Sequence, residues 1–152
     1  MCPSERPPVE AHYSLGSLIG QTRSALVASI ERTLAQRGFD ITMSQFLALK
    51  QLAANGPMSA GELAQALRHD PGAMTRMLAK LEAKGYLCRH PDRRDRRALR
   101  IELTEVGARL WQDIRASVDA CLENALVDLD AGEREHLATI LQRILRTLAC
   151  ES

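Results

Sequence analysis

Residues Ser59 to Leu103, SAGELAQALRHDPGAMTRMLAKLEAKGYLCRHPDRRDRRALRIEL, leave this chain few folds to choose from. Ser59 followed by Glu62 is a capping box, in which each side chain satisfies a backbone N–H that a helix start leaves unpaired. Leu63, Ala64 and Leu67 form the apolar side of the short helix that follows. Asp70 then caps a second helix, with Pro71 at its first position, where a missing N–H costs nothing. Met74, Met77, Leu78 and Leu81 fall on one stripe of that helix. Gly72, Thr75, Arg76 and Ala79, flanked by Lys80, fall on the other. That second face is small, polar and basic, so it suits close approach to another surface. Gly85 stops the helix. Tyr86, Leu87 and Cys88 begin a strand, and Leu99, Ile101 and Leu103 alternate along a return strand. Between the strands runs Arg89-His90-Pro91-Asp92-Arg93-Arg94-Asp95-Arg96-Arg97.

Two short helices followed by a two-stranded ribbon with an arginine-rich tip are the arrangement of a winged helix-turn-helix. In that arrangement the second helix enters the major groove of DNA and the ribbon tip reaches the neighbouring minor groove. The charge distribution agrees. From Arg68 to Arg100 there are ten Lys and Arg against four Asp and Glu, a net of +6, so the near-neutral total of +1 hides an acidic remainder. A basic face on an otherwise acidic protein grips phosphates without coating nucleic acid at random.

The predicted module spans residues 38–103 and is flanked by more helix than it needs. Leu15, Leu18, Ile19, Thr22, Leu26, Ile30 and Leu34 mark a long amphipathic helix from about Ser14 to Arg37, ended by Gly38. Thr42 with Gln45 is a second capping box, and Phe46, Leu47, Leu49, Leu52 and Ala53 carry the helix that follows, up to Asn55-Gly56-Pro57. Thr104 caps another long helix, whose stripe runs from Val106 through Leu110, Ile114, Val118, Cys121 and Leu122 to Leu129. Asp130 with Glu133 opens the last helix, carried by Leu137, Ile140, Leu141, Ile144, Leu145 and Leu148. The expected fold is mainly α with a small β-hairpin wing. Residues 14–37 and 104–150 are the expected dimerisation region, because long apolar stripes remote from the reading helix are most simply used to pair two chains. A twofold pair also sets two reading helices about one DNA turn apart. Residues 1–13 contain three prolines within eight positions and no periodicity, and are expected to be a flexible leader. They hold no apolar signal core, and no run approaches a membrane span, so a cytoplasmic protein without a membrane partner is expected.

The cysteines, Cys2, Cys88, Cys121 and Cys150, are scattered, and nothing predicts a disulfide framework. Cys121 lies on an apolar stripe and belongs to the core. The histidines are His12, His69, His90 and His136. Cys88 and His90 point to one face of their strand, but no second pair of ligands follows in sequence, so neither a metal nor a cofactor is expected. A nucleophile, base and orienter built from Cys88, His90 and Asp92 is the enzyme alternative. It sits on a strand-and-wing segment without a cleft, and no enzyme is expected. A helical adaptor that never touches DNA is the other alternative.

The chain resembles the MarR family of bacterial transcriptional regulators from about Ser14 to Leu148. Asp92-Arg93-Arg94-Asp95-Arg96-Arg97 matches the family's Asp-x-Arg-Asp-x-Arg wing at all four specified places. Leu103-Thr104-Glu105-Val106-Gly107 is similar to its "LT-x-x-G" opening of the dimer-side helix, and Thr42-Met43-Ser44-Gln45 to its "T-x-x-Q" helix start. Met74 to Leu78 and Leu81 to Leu87 resemble its reading helix and the turn into the wing.

The resemblance implies a homodimeric, ligand-responsive regulator, expected to be a repressor, on a near-palindromic operator of double-stranded DNA. It implies that Pro71, Gly72, Thr75 and Arg76 face the major groove, with Lys80 on the phosphate backbone, and that Lys84 meets phosphate or solvent. Arg94 and Arg96 would enter the minor groove, joined by Arg97, while Asp92 and Asp95 brace the wing. Ser44 and Ser59, at helix starts, would sit near phosphates. The resemblance further implies a small anionic aromatic effector between the dimer helices and the winged module, for which His12, Tyr13, Gln21, Arg23 and Trp111 are the candidates. Family members that sense peroxide carry a cysteine near the start of the first long helix, and this chain has none there. A cysteine- or metal-responsive regulator of the same fold is the alternative.

Overall fold

The computed structural model describes residues 14–92 and 98–150. In chain order the elements are α1 (Leu15–Gln36), α2 (Met43–Asn55), α3 (Ala60–Leu67), α4 (Pro71–Ala83), β1 (Leu87–Pro91), β2 (Leu99–Leu103), α5 (Glu105–Ala125) and α6 (Ala131–Cys150). This is the mainly helical, winged architecture that the sequence predicts.

Local chemistry sets the boundaries. The Thr42/Gln45 and Ser59/Glu62 boxes are both closed reciprocally. Asp70 accepts from the Ala73 N–H at 2.8 Å, ahead of Pro71. Asp130 and Glu133 exchange bonds of 3.0 and 2.9 Å at the head of α6. Gly38, Gly56 and Gly85 end α1, α2 and the α4 turn with φ of 78°, 74° and 76°, a region that L side chains rarely enter.

The core lies where α1 to α5 and β2 converge. Leu34, Leu49, Leu63, Met74, Leu78, Leu81, Ile101 and Ile114 are fully buried within it. Each such side chain contributes about 1.5–3 kcal/mol relative to exposure. Cys121 is buried too, with its Sγ 3.3 Å from Ser29 Oγ, so it belongs to the core.

β1 and β2 pair antiparallel in the register Leu87↔Leu103, Cys88↔Glu102, Arg89↔Ile101, His90↔Arg100 and Pro91↔Leu99. The hairpin has one further bridge, outside its two strands, that strand periodicity does not show. Met58 and Ile101 exchange backbone bonds of 3.0 and 2.8 Å, tying the α2–α3 connector to the wing.

The two long outer helices behave differently from the rest. Only Ile30 and Leu34 of α1 are buried, both in its C-terminal half, and α6 buries nothing. Leu15, Leu18 and Ile19 of α1 and Leu137, Ile140, Leu141, Leu145 and Leu148 of α6 stay exposed. The α5 stripe ends earlier than expected, because Leu126 caps the helix and residues up to Leu129 form the turn into α6. Arg134 fixes that turn, with bonds to Glu123 (2.6 Å) and to the carbonyls of Leu126 (2.7 Å) and Leu129 (3.0 Å). Among the described residues, no helix is long and apolar enough to cross a membrane.

Candidate nucleic-acid interface

The second helix of the pair, α4, buries Met74, Leu78 and Leu81 and leaves Pro71, Gly72, Thr75, Arg76, Ala79 and Lys80 exposed. The division follows the helical period: the apolar stripe is bound into the core and the small polar face is left outside. Thr75 donates to the Pro71 carbonyl at 2.9 Å. Arg76 folds back over the helix start, where a Cβ on Gly72 would lie 3.5 Å from its Nη1. The start of the helix therefore carries both the capping Asp70 carboxylate and the Arg76 guanidinium, and Arg76 is the group there with charge to offer an anionic partner.

Not all of the basic charge counted between Arg68 and Arg100 is available. Lys84 Nζ reaches Asp40 Oδ2 at 2.6 Å and the Asp40 carbonyl at 2.8 Å, so it is neither on phosphate nor free in solvent as expected. Arg89 pairs with Glu82 at 3.0 Å. Arg100 bridges Glu62 and Asp92, with 2.5 Å to each carboxylate. Arg68, Arg76 and Lys80 have no carboxylate partner among the described residues. The spread of charge along the sequence thus overstates the free positive face, because Asp40 ahead of α2, Glu62 of α3, Glu82 of α4 and Asp92 of the hairpin itself each pair with one of these cations.

The Glu62–Arg100–Asp92 bridge is the part of the interface that sequence reasoning missed. Glu62 closes the α3 capping box with the Ser59 N–H at 2.7 Å and holds Arg100 of β2 with the same oxygen. Asp92 lies at the root of the wing, with its N–H donating to the Ala98 carbonyl at 2.8 Å and its carboxylate on Arg100. Arg100 is held firmly charged, first by the hydrogen bond to Asp92. The Ser59 backbone N–H, followed by Arg100, lowers the Glu62 carboxyl below its ordinary 4.5. Lys84 lowers Asp40 in the same way.

These carboxyls have folded pKa values below their unfolded ones. The stability they supply is therefore complete above the ordinary carboxylate range and lost as pH falls through the depressed values. We expect the thermal midpoint to fall in acid below about pH 4.5. Glu62→Gln keeps a capping acceptor but removes the charge, and should flatten that dependence in a midpoint-against-pH series. An unchanged slope would remove Glu62 from the account.

Ser44, on the first turn of α2, sits 3.1 Å from His69 Nε2. His69 Nδ1 lies 2.8 Å from the Leu67 carbonyl, which can only accept, so Nδ1 is the donor there and the ring is held between α2 and the end of α3. The Ser44 hydroxyl therefore lies against His69 at the head of α2. Ser59 Oγ accepts from the Glu62 N–H at 3.1 Å and keeps its own O–H to donate. Arg94, Arg96, Arg97 and Asp95 lie outside the described residues, as do His12 and Tyr13.

A groove of about 1160 Å³ runs between α1, α2, α5 and α6. Arg23 and Trp111 line it, with Trp111 stacked at a tilt on Phe46, ring centroids 5.5 Å apart. Gln21 does not line it and donates to Ser17 at 2.9 Å along the exposed side of α1. Arg115 pairs with Asp119 and Arg134 with Glu123, so Arg23 and Lys50 are the lining cations without a carboxylate partner among the described residues.

The enzyme alternative does not assemble. His90 faces Glu102, at 3.5 Å, while Asp92 is spent on Arg100. Burial, then Glu102 and Glu82, push the Cys88 thiol up, which disfavours the nucleophilic thiolate.

The model of the MarR family matches residues 41–99. Over 107 residues the chain is 35% identical to the multiple antibiotic resistance protein MarR of Salmonella typhimurium, covering 70% of this chain and 74% of that one. It is 28% identical over 145 residues to the HTH-type transcriptional repressor NicR of Pseudomonas putida, covering 94% and 92%. The crystal structure of a mutant MarR from E. coli complexed with operator DNA superposes with a TM-score of 0.76 at 30% identity, over 86% of this chain and 93% of that one. The wing motif, the exposed face of α4 and these similarities converge: the chain belongs to the MarR family of winged helix-turn-helix, DNA-binding transcriptional regulators.

Proposed function

We propose that the protein acts in the cytoplasm as a homodimeric repressor on a near-palindromic operator, released by a small anionic aromatic molecule. The observation that carries the DNA half is the exposed face of α4, on which Arg76 and Lys80 have no carboxylate partner among the described residues, beside a hairpin whose root is braced by Asp92, Arg100 and Glu62. In this reading Pro71, Gly72, Thr75 and Arg76 meet the major groove, and Lys80, Ser59 and the Ser44 backbone meet phosphates. Arg94 and Arg96 enter the adjacent minor groove, with Arg97 beside them and Asp95 bracing the tip. Residues 38–103 form the reading module, 14–37 and 104–150 the dimerisation region, and 1–13 a leader. The similarity in fold to a MarR crystallised with operator DNA supports this reading.

The test is a fluorescence-anisotropy titration on promoter fragments from the protein's own locus. Arg94→Ala with Arg96→Ala should cost about 1–3 kcal/mol per arginine and reduce the salt slope by about 2, with the dimer intact. Unchanged affinity would favour the adaptor.

The effector half rests on the groove. Arg23 supplies a cation and Trp111 and Phe46 an aromatic wall, which together suit an aromatic carboxylate. Trp111 is the single tryptophan, so its emission reports directly on occupancy. Benzoate-class ligands should shift that emission, and Arg23→Ala should weaken binding about tenfold or more, as expected for loss of a charge-assisted bond. A full panel that leaves the emission unmoved would remove the effector from this groove.

A further inference from the structure

We propose that the root of the wing is a binding site for a divalent transition metal of the zinc class, held by Cys88 Sγ, His90 Nδ1 and a Glu102 carboxylate oxygen. In sequence, Cys88 and His90 look two ligands short of a site. The hairpin register changes this, because Glu102 stands directly opposite Cys88 and all three side chains share one face of the sheet. Glu102 Oε1 lies 3.5 Å from His90 Nδ1 and 3.7 Å from Cys88 Sγ, and the three donor atoms lie within 4.8 Å of one another.

Those spacings match an ion. Metal–nitrogen and metal–oxygen bonds of about 2.0–2.1 Å and metal–sulfur bonds of about 2.3 Å in a tetrahedron put neighbouring donors about 3.3–3.8 Å apart. The site therefore closes by side-chain adjustment alone, on a backbone fixed by the ladder. The donor set is selective. Thiolate and imidazole exclude magnesium and calcium, which take oxygen, and suit the borderline-soft late metals. Arg100 stands opposite His90 on the same face, but its charge is met by Asp92 and Glu62. His90 and Glu102 are each about two-fifths exposed, at 40% and 42%, which leaves an entry path and a solvent-facing fourth position. On binding, the Cys88 proton passes to solvent and the sulfur joins the metal as thiolate. The inference is independent of operator binding, since none of the three ligands is assigned to DNA.

The full chain, reduced and metal-free, is titrated with Co²⁺ and then with Zn²⁺. One Co²⁺ per chain is expected, with a thiolate-to-cobalt charge-transfer band and the strong visible bands of a four-coordinate ion, all displaced by Zn²⁺. Cys88→Ser should abolish the charge-transfer band, while Cys2→Ser and Cys150→Ser retain it. His90→Ala and Glu102→Gln should each weaken Zn²⁺ binding by at least about 100-fold, since losing a ligand costs more than losing one of its supports. Zn²⁺ should raise the melting temperature of the wild type and not of Glu102→Gln, a test that holds even if Cys88→Ser folds poorly. Absence of the band in the wild type, its survival in Cys88→Ser, or equal Zn²⁺ stabilisation of Glu102→Gln overturns the proposal.

Discussion

Gly107→Ala should destabilise the protein by about 3–5 kcal/mol, at the far end of what one methyl group does. A Cβ at position 107 would sit 2.0 Å from the Tyr86 carbonyl oxygen and 2.9 Å from its carbon. Both obstacles are backbone, so no rotamer relieves the overlap. The approach is built into the junction: the Thr104 N–H donates to the Tyr86 carbonyl at 3.0 Å and its hydroxyl to the Gly85 carbonyl at 2.7 Å. The Gly107 N–H in turn donates to Thr104 Oγ1 at 3.0 Å. The first turn of α5 is thereby pressed against the turn that feeds β1, and an added methyl must part them. With a total stability of about 5–15 kcal/mol, about a fifth or more is lost. Thermal unfolding followed by circular dichroism should show a midpoint lower by about 10 °C or more. Gly61→Ala is the control, because its Cβ would meet only Ser59 Oγ at 3.9 Å. The same substitution in an open helical site should stabilise by up to about 1 kcal/mol. Equal effects of the two substitutions would show that the Gly107 approach carries no weight.

Leu141→Glu combined with Leu145→Glu should convert the proposed dimer to a folded monomer and remove high-affinity operator binding. Leu145 is 65% exposed and Leu141 41% exposed in the single chain, and α6 has no buried residue, so the charges should cost the isolated fold little. In the proposed dimer the same positions would be buried by a second copy. Each leucine then contributes about 1.5–3 kcal/mol, and a carboxylate in its place must be desolvated without a partner. Leu15, Leu18, Leu137 and Leu141, all exposed in the single chain, are the apolar surface that a second copy would cover. A monomer engages one half-site at a time and forfeits the effective concentration of the second, a loss of about 100-fold or more. Light scattering should report halved mass, circular dichroism an unchanged helix content, and anisotropy the lost affinity. A double variant that stays dimeric would place the interface elsewhere.

How much of this was legible in the residues depends on the range of each interaction. The capping boxes of Thr42 and Ser59, Pro71 after Asp70, and the glycines that end helices act within about four residues, so the sequence displays them whole. The inward stripe of α4 is likewise a matter of period, and so is its outward face of Gly72, Thr75, Arg76 and Lys80. That Arg23 lines the groove and Gln21 does not was beyond the sequence, because spacing along α1 does not say which side of the helix faces a cavity that α5 and α6 close.

What the sequence determined by itself, then, is the order of elements, their ends, the wing motif and the exposed reading face. Only the tertiary structure decided which cations are free. Arg100 is claimed by Glu62 of α3, and Lys84 by Asp40 before α2, across 38 and 44 residues of chain. Only tertiary structure set Glu102 beside Cys88 and His90, pressed Gly107 onto the Tyr86 carbonyl, and left α6 uncovered. The physical reason is common to all of these. Pairing, desolvation and close approach depend on distance in space, and the fold alone brings such distant residues to within a few ångströms.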